Sequence, residues 1–128
     1  MVKTITRNEI KQRLDNNDPM ILVEALPRKY YRHAHLPGAR HLPHDQVHEL
    51  APEVLPNKDD FIVVYCANTP CKNSTEASHT LVKLGYSNVA EYAEGQQDWI
   101  DAGLTTESGR WRGVVPPAWR NTGTNFKA

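Results

Sequence analysis

A chain of 128 residues is long enough to enclose one hydrophobic core and too short for several domains. Lys and Arg together number 15, as do Asp and Glu, so no net charge favours a nucleic acid, an anionic membrane surface or another polyanion, and no apolar run approaches the roughly 18 residues of a membrane span. No charged-then-apolar leader opens the chain, and two closely spaced cysteines do not make a secreted disulfide framework; a cytoplasmic protein is expected, with thiols suited to redox, metal or catalytic work.

In chain order, Thr6 and Glu9 form a capping-box pattern with Ile5 and Ile10 at the positions of a hydrophobic staple. Ile10 and Leu14 then share one face of a short helix that stops within residues 15–19. Met20-Ile21-Leu22-Val23 reads as a buried strand, and a helix followed by an apolar strand argues for α/β layering. Glu24 leaves that strand and is expected to cap local N–H groups; a short exposed helical turn is expected over residues 28–32. Pro37-Gly38 is a turn dipeptide between two brief strand-like pieces. Residues 44–50 suit a helix, and Pro52 and Pro56 are expected to break any regular structure beyond it.

Phe61-Ile62-Val63-Val64-Tyr65 is an unbroken apolar, β-branched and aromatic run, the pattern of a strand buried on both faces. Asn73 with Glu76 three residues on predicts a capping box opening a helix from about Ser74 to Leu84, in which Ala77, Leu81 and Leu84 fall at helical spacing and Gly85 stands at the end. Val89 to Tyr92 is a further strand, and Gln96 to Ala102 a short helix with Trp99, closed by Gly103. From about Thr105 onward, Gly, Pro and Ser break any regular pattern. Arg110, Arg112, Arg120 and Lys127 against Glu107 leave residues 107–128 three charges positive, with Trp111, Trp119 and Phe126 interspersed. Such a tail can bind a nucleic acid or a partner; the plainer expectation is that its tryptophans pack back on the domain.

Both cysteines lie between the apolar strand and the helix after it. A thiol at Cys66 faces the carboxyl end of a central strand and the N-terminus of a helix, where backbone N–H groups and the helix dipole lower its pKa and attract an anion. The alternative, an inert thiol closing a buried strand, is disfavoured because open α/β sheets bind ligands at that end. The histidines at 33, 35, 41, 44 and 48 do not match zinc-site spacing and are expected on the surface, apart from His35; no metal ligand is assigned.

Four segments in order resemble the single-domain rhodanese-like sulfurtransferases. His35-Leu36-Pro37-Gly38-Ala39-Arg40-His41-Leu42-Pro43 is similar to that family's upstream histidine and Pro-Gly-Ala turn, where the His35 ring satisfies nearby backbone. Val63-Val64-Tyr65-Cys66 resembles its active-site strand, Leu84-Gly85-Tyr86-Ser87-Asn88-Val89 the segment after the active-site helix, and Gly95 with Trp99 the closing element. The resemblance implies an α/β fold, a small twisted mainly parallel sheet flanked by helices on both faces, in a domain over residues 1–106 with a tail over 107–128. It also implies sulfur transfer without a cofactor. Cys66 is the nucleophile, taking sulfur from a small anionic, thiosulfate-like donor, and the resulting persulfide passes it to cyanide, a thiol or a protein. The loop residues Ala67, Asn68, Thr69, Lys72, Asn73 and Ser74 bind the donor, Lys72 through its charge.

The loop departs from the family's common form. It is about two residues longer, lacks glycine and arginine, and carries Cys71; Glu24 and Leu26 stand where an Asp and an Arg often follow the first strand. Cys71 admits three roles: a thiol that resolves a Cys66 persulfide or sulfenate into a disulfide, the sulfur carrier itself, or a bystander. A disulfide requires the loop to bring the two Cα atoms within about 7 Å. The missing arginine clamp argues against a phosphatase. Arsenate reduction, a redox sensor, and a binding or regulatory module without turnover remain as alternatives.

Overall fold

The computed structural model describes residues 2–68 and 70–109. The elements are β1 (Lys3–Thr4), α1 (Arg7–Asn16), β2 (Ile21–Glu24), α2 (Arg28–His33), β3 (Arg40–His41), a 3₁₀ turn (His44–Gln46), α3 (Val47–Val54), β4 (Ile62–Tyr65), α4 (Asn73–Lys83), β5 (Val89–Tyr92) and α5 (Gly95–Asp101). Every strand pairing in the five-stranded sheet is parallel, in the order β1-β5-β4-β2-β3. The apolar run at 62–65 thus becomes the central strand, with all four side chains buried. Parallel strands need crossovers, and the helices supplying them cover both faces.

The two-residue alternation of a strand sorts β4 between two cores. Ile62 and Val64 join Val47, Leu50 and Val54 of α3 and Ala77 and Leu81 of α4. Val63 and Tyr65 join Ile10 of α1, Tyr31 of α2 and Trp99 of α5 on the opposite face. Burying a Val, Leu, Ile or Phe side chain contributes about 1.5–3 kcal/mol, so this double packing makes β4 the least yielding part of the sheet. Its carboxyl end presents Cys66. Among the described residues no helix is long and apolar enough to cross a membrane.

The capping box of α1 forms as expected: the Glu9 amide donates to Thr6 Oγ1 at 3.3 Å and the Thr6 amide to Glu9 Oε1 at 3.1 Å. The one expected at Asn73 does not form. The N-cap of α4 is Lys72, with no side-chain cap, and the Glu76 amide bonds instead to the Lys72 carbonyl at 3.0 Å. The first turn is tied by other means: Ser74 Oγ and Thr75 Oγ1 donate to Glu91 Oε2 on β5 at 2.8 and 2.7 Å. The strand β1 has no apolar signal of its own and exists through its pairing with Ala90 and Glu91.

Pro52 does not break the helix around it; α3 runs through it to Val54. Val47, Leu50, Ala51 and Val54 are all buried, and that packing outweighs the backbone bond a proline cannot donate. The carbonyls at the end of α3 are met from outside: the buried Tyr86 hydroxyl lies 2.6 Å from the Leu55 carbonyl and 3.1 Å from that of Ala51. Tyr86→Phe removes this donor from the Leu55 carbonyl, while the Ala51 carbonyl keeps the Leu55 amide at 2.7 Å. A loss of about 1–2 kcal/mol in urea unfolding is expected; an unchanged midpoint would show that the hydroxyl does nothing for α3.

Candidate active site

The polypeptide leaves β4 at Tyr65 and turns at once, with Cys66 only 1% exposed. The turn is held from the side of α5. The Gln96 amide donates to the Cys66 carbonyl at 2.9 Å and the Gln97 amide to the Ala67 carbonyl at 2.8 Å, so two orphan donors of the helix start satisfy the first two loop carbonyls. Gly95 makes this approach possible. Its φ is +74°, and a Cβ there would lie 2.7 Å from the Cys66 oxygen, 2.8 Å from the Asn68 nitrogen and 2.9 Å from the Ala67 carbonyl carbon.

The second half of the loop doubles back, with the Cys71 amide donating to the Asn68 carbonyl at 3.1 Å. It brings the two cysteines together as a disulfide, with their Cα atoms 6.3 Å apart. Cys71 is half-buried where Cys66 is enclosed. Of the other residues assigned from sequence, Ala67 and Asn73 are half-buried, Asn68 and Lys72 are exposed, and Thr69 lies outside the described residues. Ser74 is buried, its hydroxyl committed to Glu91. A depression of about 240 Å³ beside the loop, lined by Asn68, Pro70, Glu94, Gln97, Asp98 and Asp101, adds an acidic flank that no local motif announces.

A buried polar chain underlies the same sheet edge. The Leu36 amide donates to Tyr65 Oη at 2.9 Å, and that hydroxyl donates to Glu24 Oε1 at 2.9 Å. Glu24 is fully buried and does not cap backbone N–H groups as expected; among the described residues its Oε2 meets no hydrogen-bond partner. Burial pushes the Glu24 carboxyl up to about 8, only partly countered by the Tyr65 hydroxyl. Tyr65 is in turn held well above its ordinary value, first by burial and then by the charge of Glu24.

His41 is also fully buried, contrary to the surface expectation, with Nε2 2.5 Å from the Leu26 carbonyl. Burial pulls its pKa down to about 4, so the ring is neutral in the folded protein. His35 plays the part expected of it: Nδ1 lies 2.7 Å from the Tyr31 carbonyl, and the ring stacks on Tyr31 at 4.0 Å between centroids. Glu107 closes over this turn. Its backbone exchanges two 2.8 Å bonds with His35, and its carboxylate accepts from the Gly38 amide at 2.8 Å. The remainder of the 107–128 tail, from 110 on, lies outside the described residues.

The strand ending in Cys66, the His35 turn and Gly95 with Trp99, which carried the sequence resemblance, all lie about this site, and a family model described as Rhodanese-like domain matches residues 6–102. The chain belongs to the rhodanese-like family. It is similar to the putative sulfur carrier protein YrkF of Bacillus subtilis, 28% identical over 98 residues that cover 77% of this chain and 51% of that protein. The thiosulfate sulfurtransferase/rhodanese-like domain-containing protein 3 of Mus musculus is 26% identical over 117 residues, covering 82% of this chain and 73% of that one. Among solved structures, the BH2092 protein from Bacillus halodurans shares the fold with a TM-score of 0.77 at 21% identity, over 83% of this chain and 77% of that one. The chain spans about half the length of the B. subtilis relative.

The loop and the buried carboxyl each set a measurable outcome. Gly95→Ala places a methyl group into the loop backbone at an unfavourable φ; a loss of about 1–3 kcal/mol is expected, together with a more reactive, more exposed Cys66 in thiol-labelling kinetics of the reduced protein. Labelling at the wild-type rate would mean that the loop does not depend on this approach. For Glu24, the folded protein holds a proton between its ordinary 4.5 and about 8 that the unfolded chain releases, so this group makes stability fall as pH rises through that window. His41 acts oppositely, lowering stability as pH falls from 6.5 towards 4. In Glu24→Gln the His41 contribution remains and the Glu24 contribution is lost. The difference in unfolding free energy should therefore move steadily in favour of the variant from pH 5 to pH 8.5; a constant difference would contradict the raised carboxyl.

Proposed function

We propose that this domain transfers sulfane sulfur through a persulfide on Cys66. The observation that carries the proposal is the placement of that sulfur: enclosed, at the carboxyl end of the central strand, in a loop whose backbone is fixed by α5. Membership of the rhodanese-like family and the sulfur-carrier and sulfurtransferase names of its relatives support it. In the reduced protein the Cys66 thiolate attacks the outer sulfur of an anionic donor such as thiosulfate. A Cys66–sulfur bond forms, the donor's sulfur–sulfur bond breaks, and sulfite leaves with the bonding pair. Lys72, exposed at the start of α4, and amides of the loop residues bind the donor, and the persulfide passes its outer sulfur to cyanide, a small thiol or a protein thiol. The cytoplasm, a reducing compartment, is the setting in which such a thiol pair stays competent.

The disulfide favours a second reading, a redox-sensing module that cycles between dithiol and disulfide without moving sulfur. One experiment separates the two. Reduced protein is treated with thiosulfate, its intact mass measured and its peptides mapped. Sulfite release from the wild type, and its loss to background in Cys66→Ser, is the expected outcome. Release that persists in Cys66→Ser would remove Cys66 from the mechanism, and no release from either protein would leave the sensing module.

A further inference from the structure

Resting on the persulfide reading of the site, we propose that Cys71 resolves the Cys66 persulfide internally and expels hydrosulfide, so that the domain acts as a dithiol-dependent reductase of sulfane sulfur. The two halves of the loop differ in the way this requires. Cys66 is immobilised: its carbonyl and that of Ala67 are bonded to α5, and Gly95 leaves no slack beneath them. Cys71 lies beyond the pinned half and before α4 begins, and the turn through Asn68 carries its sulfur back to bonding distance of Cys66. A thiol tethered five residues away and already folded against its target outcompetes free thiols at ordinary concentration, because the encounter is intramolecular.

The chemistry closes without a further oxidant. Thiosulfate and the Cys66 thiolate give the persulfide and sulfite. The Cys71 thiolate then attacks Cys66 Sγ; the Cys66–Cys71 bond forms, the bond to the outer sulfur breaks, and hydrosulfide leaves with the electron pair. The sulfane sulfur is reduced to sulfide and the two thiols are oxidised to the disulfide. An external dithiol completes the cycle, and the net conversion is thiosulfate plus dithiol to sulfite, hydrogen sulfide and cyclic disulfide. Exposure fixes the order of that last exchange. Cys66 is enclosed and Cys71 is not, so the incoming thiolate bonds to Cys71 and Cys66 departs as the thiolate needed for the next donor. The partner implied is a dithiol reductant, and sulfide is the product whenever no external acceptor takes the sulfur first.

The test is a single turnover. Pre-reduced protein, freed of reductant under anaerobic conditions, receives thiosulfate with no other thiol present, and sulfite, sulfide and intact mass are measured. Expected are stoichiometric sulfite and sulfide from the wild type and a mass two hydrogens below the reduced protein, and from Cys71→Ser, sulfite alone with one sulfur retained on Cys66. Sulfite without sulfide from the wild type, with the extra sulfur retained, would overturn the internal step and leave the transferase reading standing. Sulfide from Cys71→Ser at the wild-type yield would also overturn it. Absence of sulfite from the wild type would remove the persulfide reading and this proposal together. The wild-type products decide the outcome even if Cys71→Ser folds poorly, and Cys71→Ala provides a second control.

Discussion

Everything at the candidate site depends on the bond between the start of α5 and the first two carbonyls of the Cys66 loop. A chain leaving a central parallel strand has lost its ladder partners and must satisfy its carbonyls elsewhere. Here the donors are the amides of Gln96 and Gln97, which a helix start offers because they have no partner within the helix. The contact distance is short enough that only glycine fits at position 95, and that glycine must hold a positive φ. The position of Cys66 is consequently set by a helix more than twenty-five residues downstream rather than by the loop's own sequence. The loop carries no glycine and varies from the common family form, yet its first half remains anchored.

A second constraint runs beneath the same edge. Tyr65, immediately before Cys66, receives a hydrogen bond from the turn at Leu36 and gives one to Glu24 on the neighbouring strand. That chain ties the ends of β2 and β4 to the His35–Gly38 turn, which Glu107 clips from outside. A carboxyl in this setting is held neutral by desolvation, and a neutral acid accepting a hydroxyl bond is cheaper to enclose than an unpaired charge. The arrangement makes the sheet edge next to Cys66 progressively less favourable as pH rises from about 4.5 towards 8. Burial of His41 works against stability on the acidic side.

These long-range ties explain what could and could not be seen in the sequence. The central strand, the parallel α/β layering, the α1 capping box and the His35 turn rest on local patterns or on motif order, and each is present in the structure. The elements that escaped depend on partners remote in sequence. Lys3 and Thr4 become a strand only because β5 offers an edge, and Pro52 is tolerated because the buried face of α3 and the Tyr86 hydroxyl support the helix around it. The Asn73–Glu76 signal makes no cap because Asn73 is already the first residue of the helix, with Lys72 at the N-cap, and the first turn is tied to the adjacent strand through Ser74, Thr75 and Glu91. At the site, the cysteine at the strand end was legible from position, whereas the enclosure of Glu24 and His41 was not, since a polar residue next to an apolar strand reads as exposed until the fold covers it.

The loop joins two rigid anchors with unequal hold on its two sulfurs. Cys66 follows directly on the most deeply packed strand, while Cys71 precedes α4, whose helix begins only at Asn73. Cys66 is held by the packed strand and, through its carbonyl, by α5, whereas the Cys71 amide bonds within the loop, to the Asn68 carbonyl. Among the described residues, neither Pro70 nor Cys71 belongs to a hydrophobic cluster, so a redox change confined there costs little in packing. Under the proposed cycle this separates two requirements that usually conflict: Cys66 keeps a fixed geometry for the donor, and Cys71, less enclosed, meets first the persulfide and then an external dithiol.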